Sequence, residues 1–312
     1  MRVVIRWISS PGANSSRSPK LNRKTLATRQ ERIRDLMLLA LRTASCSELA
    51  GHQELLAKVS HDSRPEDLLG HFPVVLRDEY FLHRERYLNP DSAETGFRHF
   101  DYPVSPPPRT AILMEGFVET QKVMCFPDGW SADLEKFRAE CLAGPVTMLR
   151  RMAVCVLNSG ARFPSLRRPI VAYTGLPFGD TGLLTDADRD QFWAAYHVAV
   201  DEHFLGHRHE VLAKECSARS GLHIDPIQAV FEVVNPESPE LVITSLANSV
   251  FPVVRLASGF RGTLTEEPCA CGLQGQRLLD LKAIAPKKPA PRVRVAMASS
   301  AASTAANQQS SG

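Results

Sequence analysis

The sequence predicts an α/β protein with a smaller β-rich part near its C-terminus. Two observations carry this prediction. Up to residue 222, amphipathic helical stretches alternate with short apolar runs of the kind that form buried strands. From His223 onwards, the pattern changes to short β-rich runs separated by Asn, Pro and Ser.

The first helix is predicted between residues 30 and 46, where apolar side chains recur at helical spacing. The residues of this apolar face are Ile33, Leu36, Met37, Ala40 and Leu41. A second helical stretch, HQELLAKVS, follows, and a Pro-Val-Val-Leu run then leads into a charged helix. The N-terminal part is therefore expected to be helical.

The middle of the chain predicts alternating helices and strands. The four prolines of YPVSPPPRTAILM indicate a connector before a strand, and residues 135–158 predict two helices interrupted at AGP. RPIVAYTGLPF is typical of a buried strand that ends in a turn. LTDADRDQFWAAY predicts a helix opened by a Thr/Asp cap, and HVAVDEHF a short strand.

Composition sets the outer limits of the domain. Residues 1–28 are rich in Ser, Pro, Asn and Arg, and residues 285–312 are of low complexity, so both segments are expected to be disordered. The folded domain is expected to span residues 29–284, with its β-rich part at 211–284.

Charge and hydropathy limit the classes of partner. The formal net charge of +3 is small, and the basic residues are scattered, which argues against a nucleic-acid-binding face. No apolar stretch approaches the length of a membrane span, and no secretory signal precedes the domain. We therefore expect a soluble, cytoplasmic protein with neither nucleic acid nor membrane as a partner.

Four residues in two pairs form a candidate metal site. Cys216 precedes His223 by seven residues, and Cys269 and Cys271 bracket one alanine between Pro268 and Gly272. Three thiolates and one imidazole are a standard ligand set for structural Zn²⁺. On the residues alone, two alternatives stay open: a buried cysteine with a surface histidine and an ordinary loop, or a catalytic Cys–His dyad.

The seven cysteines do not form a disulfide framework, because their number is odd and their spacing irregular. The cysteines outside the candidate metal site lie in apolar contexts and are expected in the core: Cys46, Cys125, Cys141 and Cys155.

The order of several segments resembles a known family. KECSARSGLHI, AVFEVVNP, ELVITSLANSVFPVVRLASG and PCACGLQGQRLLDL follow one another as in the phenylacetate–CoA ligase, coenzyme F390 synthetase and CapK-like branch of the adenylate-forming enzymes. Upstream, HFPVVLRDEYFLHRERYL and AGPVTMLRRMAVCVLNSG are similar to family segments in the same order. The resemblance covers residues 30–282 and is most specific from Lys214 to Leu281.

The resemblance implies the layered α/β fold of the adenylate-forming N-terminal domain. It also implies a protein that activates a small carboxylic acid with ATP and Mg²⁺ and passes the acyl group to CoA or another acceptor. Many members of the branch carry a structural zinc, which favours Zn²⁺ on Cys216, His223, Cys269 and Cys271.

The resemblance also points to residues that would bind the nucleotide. DSAETG corresponds to the phosphate loop and retains Ser92, Thr95 and Gly96. Arg255 corresponds to the arginine of the family's Arg-Tyr-x-x-Gly-Asp motif. Glu210, or Glu215 as the alternative, takes the place of the glutamate near adenine and Mg²⁺.

Several positions depart from the family pattern. Ala93 and Glu94 replace a glycine and a hydroxyl residue of the phosphate loop, and Phe260 replaces the aspartate expected on the ribose. The family's C-terminal domain is expected to be missing, so a partner protein would supply the second step. The sequence therefore leaves two functions open: a ligase-like enzyme of reduced or no activity, or a non-catalytic zinc-stapled binding or regulatory module.

Overall fold

The structure, a computed structural model, describes residues 23–49, 51–61, 64–92, 100, 108–234 and 240–284. Its strands form one sheet of eleven in the order β2-β1-β3-β4-β5-β6-β7-β11-β10-β9-β8. The strands are β1 (Thr110–Ile112), β2 (Val123–Cys125), β3 (Cys141–Pro145), β4 (Ile170–Gly175), β5 (Val200–Leu205), β6 (Val211–Glu215), β7 (Leu222–Ile224), β8 (Ala229–Val234), β9 (Glu240–Ser245), β10 (Leu256–Thr265) and β11 (Arg277–Ala283).

The sheet has a parallel half and an antiparallel half that meet at β5. The pairs β2–β1, β1–β3, β3–β4 and β4–β5 are parallel. All pairs from β5–β6 to β9–β8 are antiparallel. The mixed α/β class predicted from the sequence is confirmed, and the β-rich C-terminal part continues the main sheet.

Helices fall into an N-terminal group and a group packed on the parallel half. Their ranges are α1 (Arg23–Leu41), α2 (Ala44–Ser47), α3 (His52–His61), α4 (Arg77–Leu82), α5 (Ala132–Phe137), α6 (Val146–Ser159) and α7 (Asp186–Tyr196). Three short 3₁₀ turns lie at Pro65–His71, Arg84–Tyr87 and Gly179–Gly182. Among the described helices, none combines the length and the apolar content that crossing a membrane requires.

The apolar face predicted for the first helix is confirmed. All five of its predicted residues are buried and pack with side chains of α3 and of β8 in one cluster. The helix begins at Arg23, so residues 23–28, which the sequence assigned to a disordered segment, form its first turns.

The AGP segment lies between two helices, α5 and α6, as predicted, but it is part of a strand, which the sequence pattern did not predict. Residues 141–145 form β3, whose five residues are all buried between β1 and β4. A parallel strand covered on both faces shows no alternation of polar and apolar residues, which is why the pattern did not reveal it.

Helix α7 begins directly after Thr185, the residue predicted to cap it. Thr185 accepts a hydrogen bond from the backbone N–H of Asp188, and the Asp188 carboxylate accepts one from the Thr185 N–H, forming a capping box. Asp188 also accepts two bonds from Arg150 of α6, at 2.6 and 2.8 Å. These contacts fix α7 against α6 over the parallel half.

Candidate functional site

The four predicted metal ligands come together at one end of the antiparallel half. One ligand atom from each of Cys216, His223, Cys269 and Cys271 lies within 4.8 Å of all the others. The sulfurs of Cys216 and Cys269 are 3.6 Å apart, and the Cys271 sulfur is 3.4 Å from Nε2 of His223. Residues more than fifty positions apart in sequence therefore share one small volume.

The β6–β7 turn supplies the first pair of ligands. Cys216 directly follows β6, and His223 lies in the middle of β7, which pairs with β6 in antiparallel register. Gly221 precedes β7 with φ of +89°, and a Cβ there would lie 2.3 Å from Cδ2 of Leu279. Only glycine lets the turn approach β11 this closely.

The β10–β11 loop supplies the second pair. Gly272, with φ of +81°, donates its N–H to the Cys269 carbonyl and closes a tight turn around Cys271. The backbone N–H of Leu273 donates to the Cys271 sulfur at 3.3 Å. Hydrogen bonding from the Cys271 backbone lowers the pKa of the Cys269 thiol, whereas burial raises the pKa of the Cys271 thiol. The loop therefore favours a thiolate at Cys269, and a thiolate is the form that binds metal.

The chemistry and spacing of this cluster fit Zn²⁺. Tetrahedral zinc with its usual bond lengths places two thiolate sulfurs about 3.8 Å apart, and a sulfur and an imidazole nitrogen about 3.6 Å apart. The observed separations of 3.6 and 3.4 Å lie close to both values. The 3.4 Å contact with Cys271 shows that Nε2 of His223 is the nitrogen facing the cluster. Among the described residues, Nδ1 of His223 is buried without a hydrogen-bond partner.

A second candidate site lies at the carboxyl edge of the parallel strands. Because β1, β3, β4 and β5 run in the same direction, the loops that follow them meet at one edge, where α/β proteins usually bind ligands. The ring of His209, which follows β5, is near-parallel to two phenylalanine rings. Its centroid lies 6.1 Å from that of Phe117, which follows β1, and 6.5 Å from that of Phe178, which follows β4. A cavity of about 590 Å³ opens beside the loop after β1, lined in part by Glu115 and Phe117.

Glu210 lies at this carboxyl edge and is almost fully buried. Its carboxylate accepts a hydrogen bond from Oγ of Ser245 at 2.5 Å and another from the backbone N–H of Arg208 at 2.9 Å. A Cβ at Gly206 would lie 2.3 Å from the Glu210 carboxyl carbon, so a larger residue there would displace the Glu210 side chain. Two donors and a closely packed loop thus fix the carboxylate in one orientation.

Glu215, the alternative acid, is engaged elsewhere. It accepts a hydrogen bond from Arg189 of α7 at 2.9 Å and another from the Glu202 backbone N–H at 3.1 Å. Glu202 was not singled out from the sequence. It accepts a bond from Thr174 Oγ1 at 2.9 Å, and burial raises its pKa to about 7.

Arg255 lies on the other face of the sheet from Glu210. Its guanidinium donates to Glu232 at 3.2 Å and to the Phe72 carbonyl at 3.0 Å, and its backbone N–H donates to Thr244 Oγ1. Thr244 and Ser245 are consecutive in β9 and therefore point to opposite faces. The structure consequently does not bring Arg255 together with Glu210.

The phosphate-loop residues are only partly described. The Ser92 N–H donates to the Asn89 carbonyl at 3.0 Å, whereas Thr95 and Gly96 lie outside the described residues, as do Ala93 and Glu94. Phe260 is fully buried and packs edge-on against Phe204. It belongs to the apolar core of the antiparallel half.

The remaining cysteines differ in burial. Cys141 is buried as predicted, and Cys46 and Cys125 are half-buried. Cys155 is exposed on α6, so its assignment to the core was wrong. Its neighbours Val154 and Leu157 are also exposed apolar residues of this helix, so apolar context was a poor guide to burial there.

Solved structures share the fold. A crystal structure of 2-hydroxyisobutyryl-CoA ligase with 2-HIB-AMP and CoA in the thioesterification state matches with a TM-score of 0.61 at 14% identity, over 86% of this chain and 69% of that one. The same ligase in a postadenylation state with 2-HIB-AMP gives 0.57 at 15% identity, over 86% and 70%. Its open conformation gives 0.58 at 14% identity, over 80% and 67%.

These similarities establish a fold shared with that ligase and confirm the expected layered α/β architecture. No protein-family model matches the sequence, and no curated protein matches it. The identity of 14–15% leaves the activity to be argued from the residues of this chain.

Proposed function

We propose that the protein is a ligase-like member of the adenylate-forming enzymes that binds a small carboxylic acid and ATP with Mg²⁺ at the carboxyl edge of its parallel strands. The observation that carries this proposal is the placement of Glu210. Within a fold shared with an acyl-CoA ligase, this buried carboxylate is held by Ser245 and by a backbone N–H at the edge where ligands bind.

The neighbouring features support a small-molecule site. The cavity beside Phe117 has a volume in the usual range for small ligands, and its walls are largely apolar. A carboxylate such as Glu210 can bind Mg²⁺ carried by a nucleotide, since Mg²⁺ prefers oxygen ligands. In the finer proposal, which rests on the sequence resemblance, Ser92, Thr95 and Gly96 contact the phosphates, and the chain belongs to the phenylacetate–CoA ligase branch.

We also propose that Cys216, His223, Cys269 and Cys271 hold one structural Zn²⁺. Four protein ligands fill a tetrahedral shell and leave no open position for a substrate, which is typical of structural sites. The metal would tie the β6–β7 turn to the β10–β11 loop. It would thereby stabilise the antiparallel half of the sheet.

A second candidate function is a non-catalytic, zinc-stapled binding module of the same fold. The placement of Arg255 favours it, because the guanidinium is held by Glu232 and Phe72 on the face away from Glu210. The burial of Phe260 favours it too, since an apolar core side chain offers no acceptor for ribose hydroxyls.

One pair of assays separates the two functions. Calorimetry with ATP and Mg²⁺ measures nucleotide binding, and pyrophosphate exchange with aromatic and short aliphatic acids measures adenylation. The ligase-like function predicts binding and exchange with at least one acid. Binding without exchange would support the non-catalytic module, and no binding by folded protein would contradict a nucleotide site.

Matched variants test the assigned residue. Glu210→Gln is expected to weaken binding of ATP–Mg²⁺ about tenfold or more, since a charged metal contact is lost. Glu140→Gln is the control. Glu140 accepts a hydrogen bond from the backbone N–H of Arg109, and it lies at the opposite, amino edge of the same strands. Equal effects of the two changes would show that Glu210 has no special role.

A further inference from the structure

A buried arginine lies beside the candidate zinc site. Arg277 is the first residue of β11 and pairs directly with His223 of β7. Only 4% of its surface is exposed. No local pattern in the sequence connects this residue with the cysteines.

The Arg277 guanidinium connects the two loops that carry the ligands. One terminal nitrogen donates to the carbonyl of Ser220 and, at 2.8 Å, to its hydroxyl. The other terminal nitrogen donates to the carbonyl of Glu267 at 3.1 Å. Ser220 lies between Cys216 and His223, and Glu267 lies two residues before Cys269. The side chain therefore holds both loops in position relative to His223.

The charge of Arg277 has no counter-charge of the usual kind. Among the described residues, no carboxylate pairs with it; its partners are carbonyl and hydroxyl oxygens, and its Nε is buried without a partner. A buried cation without an anion is costly. Zn²⁺ bound by three thiolates and a neutral imidazole carries one surplus negative charge, and this anion would lie against the same two loops.

We propose that Arg277 is a positioning residue for the zinc site, and that its positive charge offsets the surplus negative charge of the metal–thiolate cluster and tightens zinc binding. The proposal rests on the zinc part of the proposed function. It extends that part by assigning a residue outside the ligand set, where partners commonly tune metal affinity.

The test compares Arg277→Lys with Arg277→Met in the full chain. The two replacements have similar length, but only lysine keeps the charge, and neither can bridge Ser220 and Glu267 as a guanidinium does. Zinc affinity is measured by competition with a chelator of known affinity. Co²⁺ absorption reports whether the thiolate ligands are unchanged, and thermal melting reports folding.

We expect Arg277→Met to weaken zinc binding about 10–100-fold, the range seen for residues that support metal ligands. Arg277→Lys should weaken zinc binding less than Arg277→Met, because the charge remains although the bridge between Ser220 and Glu267 is lost. Should Arg277→Met fail to fold, Arg277→Gln takes its place with the same expectation, since it also removes the charge.

Three outcomes overturn the inference. Equal weakening by Lys and Met shows that Arg277 is only a structural tie, and unchanged affinity in Arg277→Met shows that it has no role in metal binding. In both cases the zinc proposal stands. A wild-type protein that takes up no zinc removes the metal site itself and the role of Arg277 with it.

Discussion

The parallel and antiparallel halves of the sheet are stabilised in different ways. In the parallel half, β3 and β4 are fully buried, and α6 and α7 pack on the sheet through a large apolar cluster. In the antiparallel half, residues 266–275 connect β10 and β11 as a loop whose residues are exposed except for Cys269 and Cys271.

This difference indicates which half of the sheet a bound metal would stabilise. A loop with almost no buried apolar side chains gains little from the hydrophobic effect, so its fixed conformation needs another source of free energy. The proposed metal would supply this free energy through the thiols of Cys269 and Cys271, which lie within reach of Cys216 and His223. The parallel half has no such requirement.

The largest effect is expected from removing a ligand. Cys269→Ser should abolish tight zinc binding and lower the melting temperature by roughly 5–10 °C, since metal binding energy is coupled to folding of the loop. Differential scanning fluorimetry checks this. Cys155→Ser is the control, because Cys155 is an exposed cysteine of the parallel half. A similar fall of the melting temperature in both variants would contradict the proposed difference between the two halves of the sheet.

The next effect concerns the parallel half. Asp188→Asn should lower the free energy of unfolding by about 2–3 kcal/mol at pH 7, because the buried carboxylate binds Arg150 twice and caps α7. Urea unfolding measures it. Asp186→Asn, an exposed change in the same helical turn, should cost less than about 1 kcal/mol. Zinc content should stay unchanged in both, and a loss of zinc in Asp188→Asn would show that the halves are coupled.

A pH-dependent effect is expected at Glu202, where β5 joins the two halves. Burial raises the pKa of Glu202 to about 7, while an unfolded glutamate titrates at about 4.3. Between these values the folded state binds more protons, so this group makes stability fall as pH rises from about 4 to about 7.

Glu202→Gln removes this dependence, so the stability of the variant relative to wild type should rise by about 2–3 kcal/mol from pH 5 to pH 8. Urea unfolding at both pH values gives the difference. Glu135→Gln, an exposed change on α5, should show no such trend. A difference between Glu202→Gln and wild type that does not vary with pH would place the pKa of Glu202 near its ordinary value.

The two halves also differ in how much of them the sequence predicted. The four candidate metal ligands were identified from residue type and spacing, the family resemblance favoured zinc on them, and the structure brings all four together. The cap at Thr185 and the buried face of α1 follow from local rules and were confirmed.

Features that depend on tertiary context were not predicted. The strand β3 has no alternation, so its buried position could not be distinguished from a break between helices. The separation of Glu210 from Arg255 depends on which face of β9 each one contacts, and sequence order does not fix this. Arg277 carries no local signal, because its partners are backbone carbonyls and a serine from two distant loops.

Native mass spectrometry of the full-length protein tests the central claim most directly. After purification with zinc present and removal of loosely bound metal, the wild-type chain should carry one Zn²⁺, and Cys269→Ser should carry none. A folded wild-type protein without zinc, or equal zinc in both proteins, would contradict the assignment of Cys216, His223, Cys269 and Cys271 as a structural metal site.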